Sequence, residues 1–152
     1  MLKQVLAKNA DDVRLVFRHY PLDRECNSSL SQQVHPGSCL ASTAAECAGE
    51  QGKFWEYTDL LFGDQKLYTR QDLETYAGAL SLDINRFKAC LDDGRMKGRI
   101  QADIEEANRV GIKATPTLIV NGHLIEGLPS PDQFATMLAV EKKQTAQKMN
   151  DE

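Results

Sequence analysis

The chain has 152 residues, 41% of them hydrophobic and 26% charged, enough to bury a single core without help from a metal. Those proportions exclude a disordered tail and a small disulfide scaffold. The 18 basic residues, set against 22 acidic ones for a formal charge of -4, are scattered along the chain. They form no stripe that would grip nucleic acid.

No apolar run approaches the roughly 18 residues that a membrane span needs. Met1-Leu2-Lys3-Gln4 shows no basic-then-apolar leader, so neither a span nor a signal peptide is expected in this stretch. Leu2, Val5 and Leu6 recur at helical spacing without a cap before them, and Met1 to Asn9 therefore reads as the back half of a helix. Val13 to Tyr20 is rich in β-branched and aromatic residues and stops at Pro21, which predicts a strand. Asp23 to Gln33 is polar and irregular and reads as a loop.

Five helices are expected next. Ser38 to Glu50 turns to Ala, Leu and Glu and ends at Gly52, and Lys53 to Phe62 follows it. Thr69 with Asp72 three residues on forms a capping box for a helix whose inner face is Leu73, Tyr76, Ala77 and Leu80. Asn85 to Leu91 is short and stops near Gly94. Ile100, Ile104, Ala107 and Asn108 share one side of the fifth, which Gly111 terminates.

The strongest local signal is Thr115 to Val120, then Asn121-Gly122, then His123 to Glu126. Asn-Gly favours the type I′ turn that joins two antiparallel strands. Ser130-Pro131-Asp132-Gln133 then supplies an N-cap, a proline at the first helical position and Gln at the third, starting a helix that turns Phe134, Met137 and Leu138 inward. Past about Lys142 the composition is polar, and residues 143–152 are expected to fray as a tail behind one domain over 1–142. The order of elements is α/β at the ends with a helical block between.

The segments Val13 to Leu22 (VRLVFRHYPL), His35-Pro36, Ala44 to Glu56 (AAECAGEQGKFWE) and Gly111 to Leu118 (GIKATPTL) resemble, in that order, the DsbA-like branch of the thioredoxin superfamily. The likeness implies a thioredoxin-like α/β fold with a helical insertion over about 35–110, closed by a short helix on which Asp83, Phe87, Cys90 and Leu91 match. It implies that Thr115 and Pro116 stand at the family's cis-proline, the segment that lines up an extended peptide or a protein thiol or disulfide as substrate. The family's reactive C-x-x-C lies at a strand end and helix start that precede the segment resembling VRLVF, and no two cysteines here have that spacing. A catalytic residue is therefore not assigned. The resemblance also implies a periplasmic or extracytoplasmic location.

Cys26, Cys39, Cys47 and Cys90 form an even set, which favours disulfides. Cys39 and Cys47 on one helix would stand roughly 12 Å apart, beyond a disulfide's reach, so one of three pairings drops out. Two remain. Cys26 with Cys39 and Cys47 with Cys90 is preferred, the first closing a loop onto a helix start and the second stapling two helices; the resemblance implies the second pair as well. A sharper alternative makes Cys39 a redox thiol in the first turn after a Ser38 N-cap, with His35 nearby.

His19, His35 and His123 show no ligand spacing, Ser38 lacks the G-x-S-x-G elbow, and no glycine-rich phosphate loop is present, so neither metal nor cofactor is expected. Phe54, Trp55, Leu60, Leu61 and Phe62 read as core. Two functions compete: a DsbA-like thiol-disulfide oxidoreductase domain without its dithiol, inactive by itself, and a non-catalytic peptide-binding or assembly module. If strands 13–20 and 115–120 flank a position left empty, their unpaired backbone groups favour a homodimer or swapped element over a monomer.

Overall fold

The computed structural model describes residues 9, 11, 13–64 and 68–150. Met1 to Lys8 of the expected opening helix lie outside them. The chain divides into two compact units, one of residues 18–111 and one of residues 1–17 with 112–152.

The first unit is helical: α1 (Ser38–Gly49), α2 (Phe54–Gly63), α3 (Arg70–Ala79), α4 (Ile84–Asp93) and α5 (Lys97–Arg109). Ala41, Ala44, Ala45 and Ala48 are buried along α1. Such small side chains let neighbouring helices approach it closely, and α2 to α5 all pack against it. Around that face gather Tyr57, Leu73, Ala77, Phe87 and Leu91. Full burial of a side chain such as Phe87 contributes about 1.5–3 kcal/mol. Tyr57 satisfies its buried hydroxyl by donating to the Leu73 carbonyl at 2.8 Å, and burial, with Tyr76 and Tyr68 nearby, pushes that phenol far above its usual pKa.

The expected caps form where their partners are close in sequence. Thr69 Oγ1 accepts from the Asp72 N–H, and the Asp72 carboxylate accepts from the Thr69 N–H. Asp83 caps α4 by accepting from the Arg86 N–H at 3.0 Å, and Gly94 ends that helix at φ 67. This unit starts at Arg18, and Arg18 and His19 are tied to acidic residues of the helices.

The second unit holds β1 (Thr117–Val120), β2 (His123–Glu126) and α6 (Pro131–Asn150). The strands pair antiparallel, Val120 opposite His123 and Leu118 opposite Ile125. Asn121 at φ 48 and Gly122 at φ 90 close the hairpin, the left-handed pair that a type I′ turn requires. Ser130 Oγ accepts from the Gln133 N–H while the Gln133 side chain accepts from the Ser130 N–H, a reciprocal cap that starts α6. Phe134 and Leu138, one turn apart, are buried with Val13 and Leu118 against them.

Four expectations are corrected. Residues 13–20 form no strand: burial still alternates from Val13 to Tyr20, but the two described strands pair only with each other and offer this segment no ladder. The first hairpin strand begins at Thr117, not Thr115. Helix α6 continues to Asn150, through the stretch expected to fray, because Lys, Gln, Ala and Met favour helix without needing an apolar face. Trp55 and Phe62 are 42% and 61% exposed: seven residues apart, they share the side of α2 opposite buried Tyr57, while Phe54 and Leu61 do pack on the core.

Candidate functional site

All four cysteines are in disulfides, Cys26 with Cys39 and Cys47 with Cys90. Both Cys47 and Cys90 are fully buried between α1 and α4, and their bond staples those helices. Cys26 sits part-buried in the loop that precedes α1, and Cys39 lies in the first turn of α1. Cys39 is thus a bridge to Cys26 and carries no free thiol.

What organises the first disulfide is Asp23, a residue that a sequence reading places merely at a loop's start. Its side chain is buried among donors. Oδ1 accepts from Gln33 Nε2 at 2.8 Å and the Glu25 N–H at 3.1 Å, while Oδ2 accepts from the Gly37 N–H at 2.8 Å and the Cys39 N–H at 3.4 Å. Burial alone would raise this carboxyl's pKa, but the bonds from Gln33, Glu25, Cys39 and Gly37 outweigh it and hold the pKa below its usual value. The redox-thiol alternative made Ser38 the N-cap of α1. The helix instead starts at Ser38 behind Gly37 at φ 83 with no local side-chain cap, and Ser38 Oγ is buried without a hydrogen-bond partner among the described residues. A negative group at the helix start supplies what the missing cap would. Asp23 also sets its carboxylate against the Cys39 N–H and its carbonyl 3.5 Å from the Cys39 sulfur, surroundings that disfavour a thiolate there.

A second buried polar cluster surrounds His19. Its Nε2 lies 3.0 Å from Glu46 Oε1, and the other Glu46 oxygen is 3.1 Å from Arg99. The His19 N–H donates to Asp103 Oδ2 at 2.9 Å, and Arg18 donates to Asp103 Oδ1 at 3.0 Å. His19, Glu46 and Asp103 are each more than nine-tenths buried. The cluster ties the extended segment at 18–20 to α1 and α5 and gives its backbone a partner in place of a strand neighbour.

In the other unit, Lys113 to Pro116 form an exposed loop into β1, and the Thr115–Pro116 peptide bond is cis. Thr117 Oγ1 donates to the Ala114 carbonyl at 2.7 Å, and the Gly127 N–H donates to the Pro116 carbonyl at 2.8 Å. The loop is thereby held at both ends of the proline while Thr115 stays exposed. His35 is exposed, and exposed His123 stands 3.7 Å from Glu141. Among the described residues no three His, Cys, Asp or Glu side chains gather as a metal site.

A family model described as thioredoxin matches residues 1–139. The chain belongs to the thioredoxin family. Its DsbA-like character and its helical block between the two ends of the fold fit that membership. Among curated proteins this thioredoxin-family chain is similar to Na(+)/H(+) antiporters: NhaA 3 of Salinispora tropica, 43% identical over 76% of this chain and 16% of the antiporter; NhaA 1 of Salinispora arenicola, 40% identical over 76% and 16%; and NhaA of Herminiimonas arsenicoxydans, 37% identical over 77% and 17%. The chain spans about a sixth of the length of these relatives. No solved structure matches it significantly. No helix among its described residues is long and apolar enough to cross a membrane.

Asp23, Glu46 and Asp103 were missed by sequence reasoning. No local pattern marks Asp23, because the helix whose first turn it serves starts at Ser38, far along the chain.

Proposed function

We propose that the chain is the substrate-docking and structural part of a DsbA-like thiol-disulfide exchange domain, with the reacting dithiol contributed from outside these 152 residues. The observation that carries this reading is the state of its cysteines: all four are committed to disulfides, one pair fully buried and the other beside the Asp23 carboxylate. Exchange requires an accessible thiolate and a resolving cysteine. The exposed Lys113 to Pro116 loop supports docking of an extended peptide or a protein thiol or disulfide at Thr115 and Pro116. Two disulfides also support a periplasmic or otherwise extracytoplasmic place, since such bonds persist in oxidising compartments.

Insulin reduction, measured with this chain and with the chain extended upstream by its own gene sequence, tests the proposal. Activity in the extended protein alone is expected. Turnover by the 152 residues that disappears in the Cys26→Ser, Cys39→Ser variant would overturn it.

A second reading is a non-catalytic assembly module, favoured by the relatives themselves, in which a segment like this one accompanies a Na(+)/H(+) antiporter. On that reading the extended protein stays inactive and copurifies with a membrane transporter. A homodimer belongs to either reading, and light scattering at micromolar concentration distinguishes it from a monomer.

A further inference from the structure

The outer edge of β2 and the first turns of α6 form an open groove of about 690 Å³. Its floor is apolar, built from Ile125, Leu128 and Met137, and its two ionisable lining residues, Glu126 and Asp132, are both acidic. Leu128 is half exposed. Neither Glu126 nor Asp132 has a basic partner among the described residues.

The hairpin register says which backbone groups face this groove. In an antiparallel pair, residues that exchange hydrogen bonds alternate with residues whose N–H and C=O point away. The Gly127 N–H bond to the Pro116 carbonyl puts Gly127 in the first class. With Thr117 opposite Glu126 and Ile119 opposite Leu124, Leu124 and Glu126 fall in the second. Their N–H and C=O groups therefore face outward along β2 and meet no partner among the described residues. Such an edge is a template for a further strand. Leu124 is 44% exposed beside Ile119 at 54%, so an apolar cross-strand pair lies open next to it.

We propose that this groove binds an extended basic peptide by strand addition to β2, the peptide pairing with Leu124 and Glu126. Charge selects the occupant. Alternate side chains of an added strand point to opposite faces, so the set on the α6 side packs on Ile125 and Met137 while lysines or arginines of the other set lie beside Glu126, and Asp132 in the first turn of α6 adds negative charge to the same groove. An acidic peptide would meet two like charges and nothing to offset them. The site uses no thiol chemistry, although Gly127 in its lining donates to the Pro116 carbonyl; loss of basic-peptide binding with insulin reduction by the extended protein intact therefore leaves the exchange reading standing.

Fluorescence anisotropy with the full chain tests it, using labelled Lys-Val-Lys-Val-Lys and Glu-Val-Glu-Val-Glu, both blocked at their ends. The basic peptide should bind at least tenfold more tightly, and raising the salt should weaken it. Glu126→Lys with Asp132→Lys, both at exposed positions, should remove that preference without changing the circular dichroism spectrum. The basic peptide N-methylated at its valines should lose tenfold in affinity if backbone pairing is used. Equal binding of the two peptides, no binding at millimolar concentration, indifference to the lysine substitutions or to N-methylation, or a change of oligomeric state instead of peptide affinity would each overturn the proposal.

Discussion

Replacing Asp23 by Asn isolates the hydrogen-bonding role of the carboxylate at almost constant shape. Each carboxylate oxygen accepts from two donors, Gln33 and Glu25 on one side and Gly37 and Cys39 on the other. An asparagine has one oxygen, so either orientation turns its NH2 against two N–H groups. The cheaper orientation gives up the Gly37 and Cys39 side, where the second bond is long at 3.4 Å. Bonds to a charged acceptor are worth about 1.5–3 kcal/mol, and the expected loss is about 2–4 kcal/mol. Urea unfolding with both disulfides intact should show it as a midpoint lowered by about 1–2 M. The pH dependence gives an independent check. Because the folded pKa lies below the usual carboxylate value, the carboxylate's contribution is complete above the unfolded value and is lost as the pH falls through the folded one. The gap between parent and Asp23→Asn should therefore narrow on acidification from pH 4 downward. A midpoint unchanged at pH 7, or a gap that widens in acid, would refute the account of Asp23 as the cap of α1.

Loop lengths order the two disulfides. Removing Cys47 and Cys90 together, with a separation of 43 residues, should cost about 4 kcal/mol, and removing Cys26 and Cys39, separated by 13, about 3 kcal/mol, both read by urea midpoint. Thr69→Ala deletes one half of the α3 capping box and should cost about 1 kcal/mol by the same measurement. Glu46→Ala takes the carboxylate from buried His19 and should cost about 2–3 kcal/mol, whereas Glu46→Gln retains an acceptor and should cost less.

Legibility in the sequence followed the distance between interacting residues. The boxes at Thr69 with Asp72 and Ser130 with Gln133 span three residues, and the Asn121-Gly122 turn spans two, so each could be read from its own segment. Asp23 caps a helix that begins fifteen positions later, and no local pattern connects them. Val13 to Tyr20 shows the complementary limit. Its composition and alternating burial are those of a strand, but a strand also needs a neighbour, and pairing is a property of the surroundings. Aromatic spacing misled at α2 for a related reason: helical periodicity puts Trp55 and Phe62 on one face without saying which face meets the core. The cysteines were legible in part, since helix geometry removed one pairing while the choice between the other two rested on loop closure and resemblance.

The Cys26–Cys39 bond makes residues 26–39 a covalent ring, and positions 31–36 within it are all exposed. A protease cutting this loop once would leave the two pieces joined, with unchanged mass on a non-reducing gel. Only on reduction would they part, one ending before α1 and the other carrying it. Cys47–Cys90 gives the same protection to a single cut between α2 and α3. In an environment that is oxidising and rich in proteases, the chain could thus be nicked at two of its connections and still travel as one molecule.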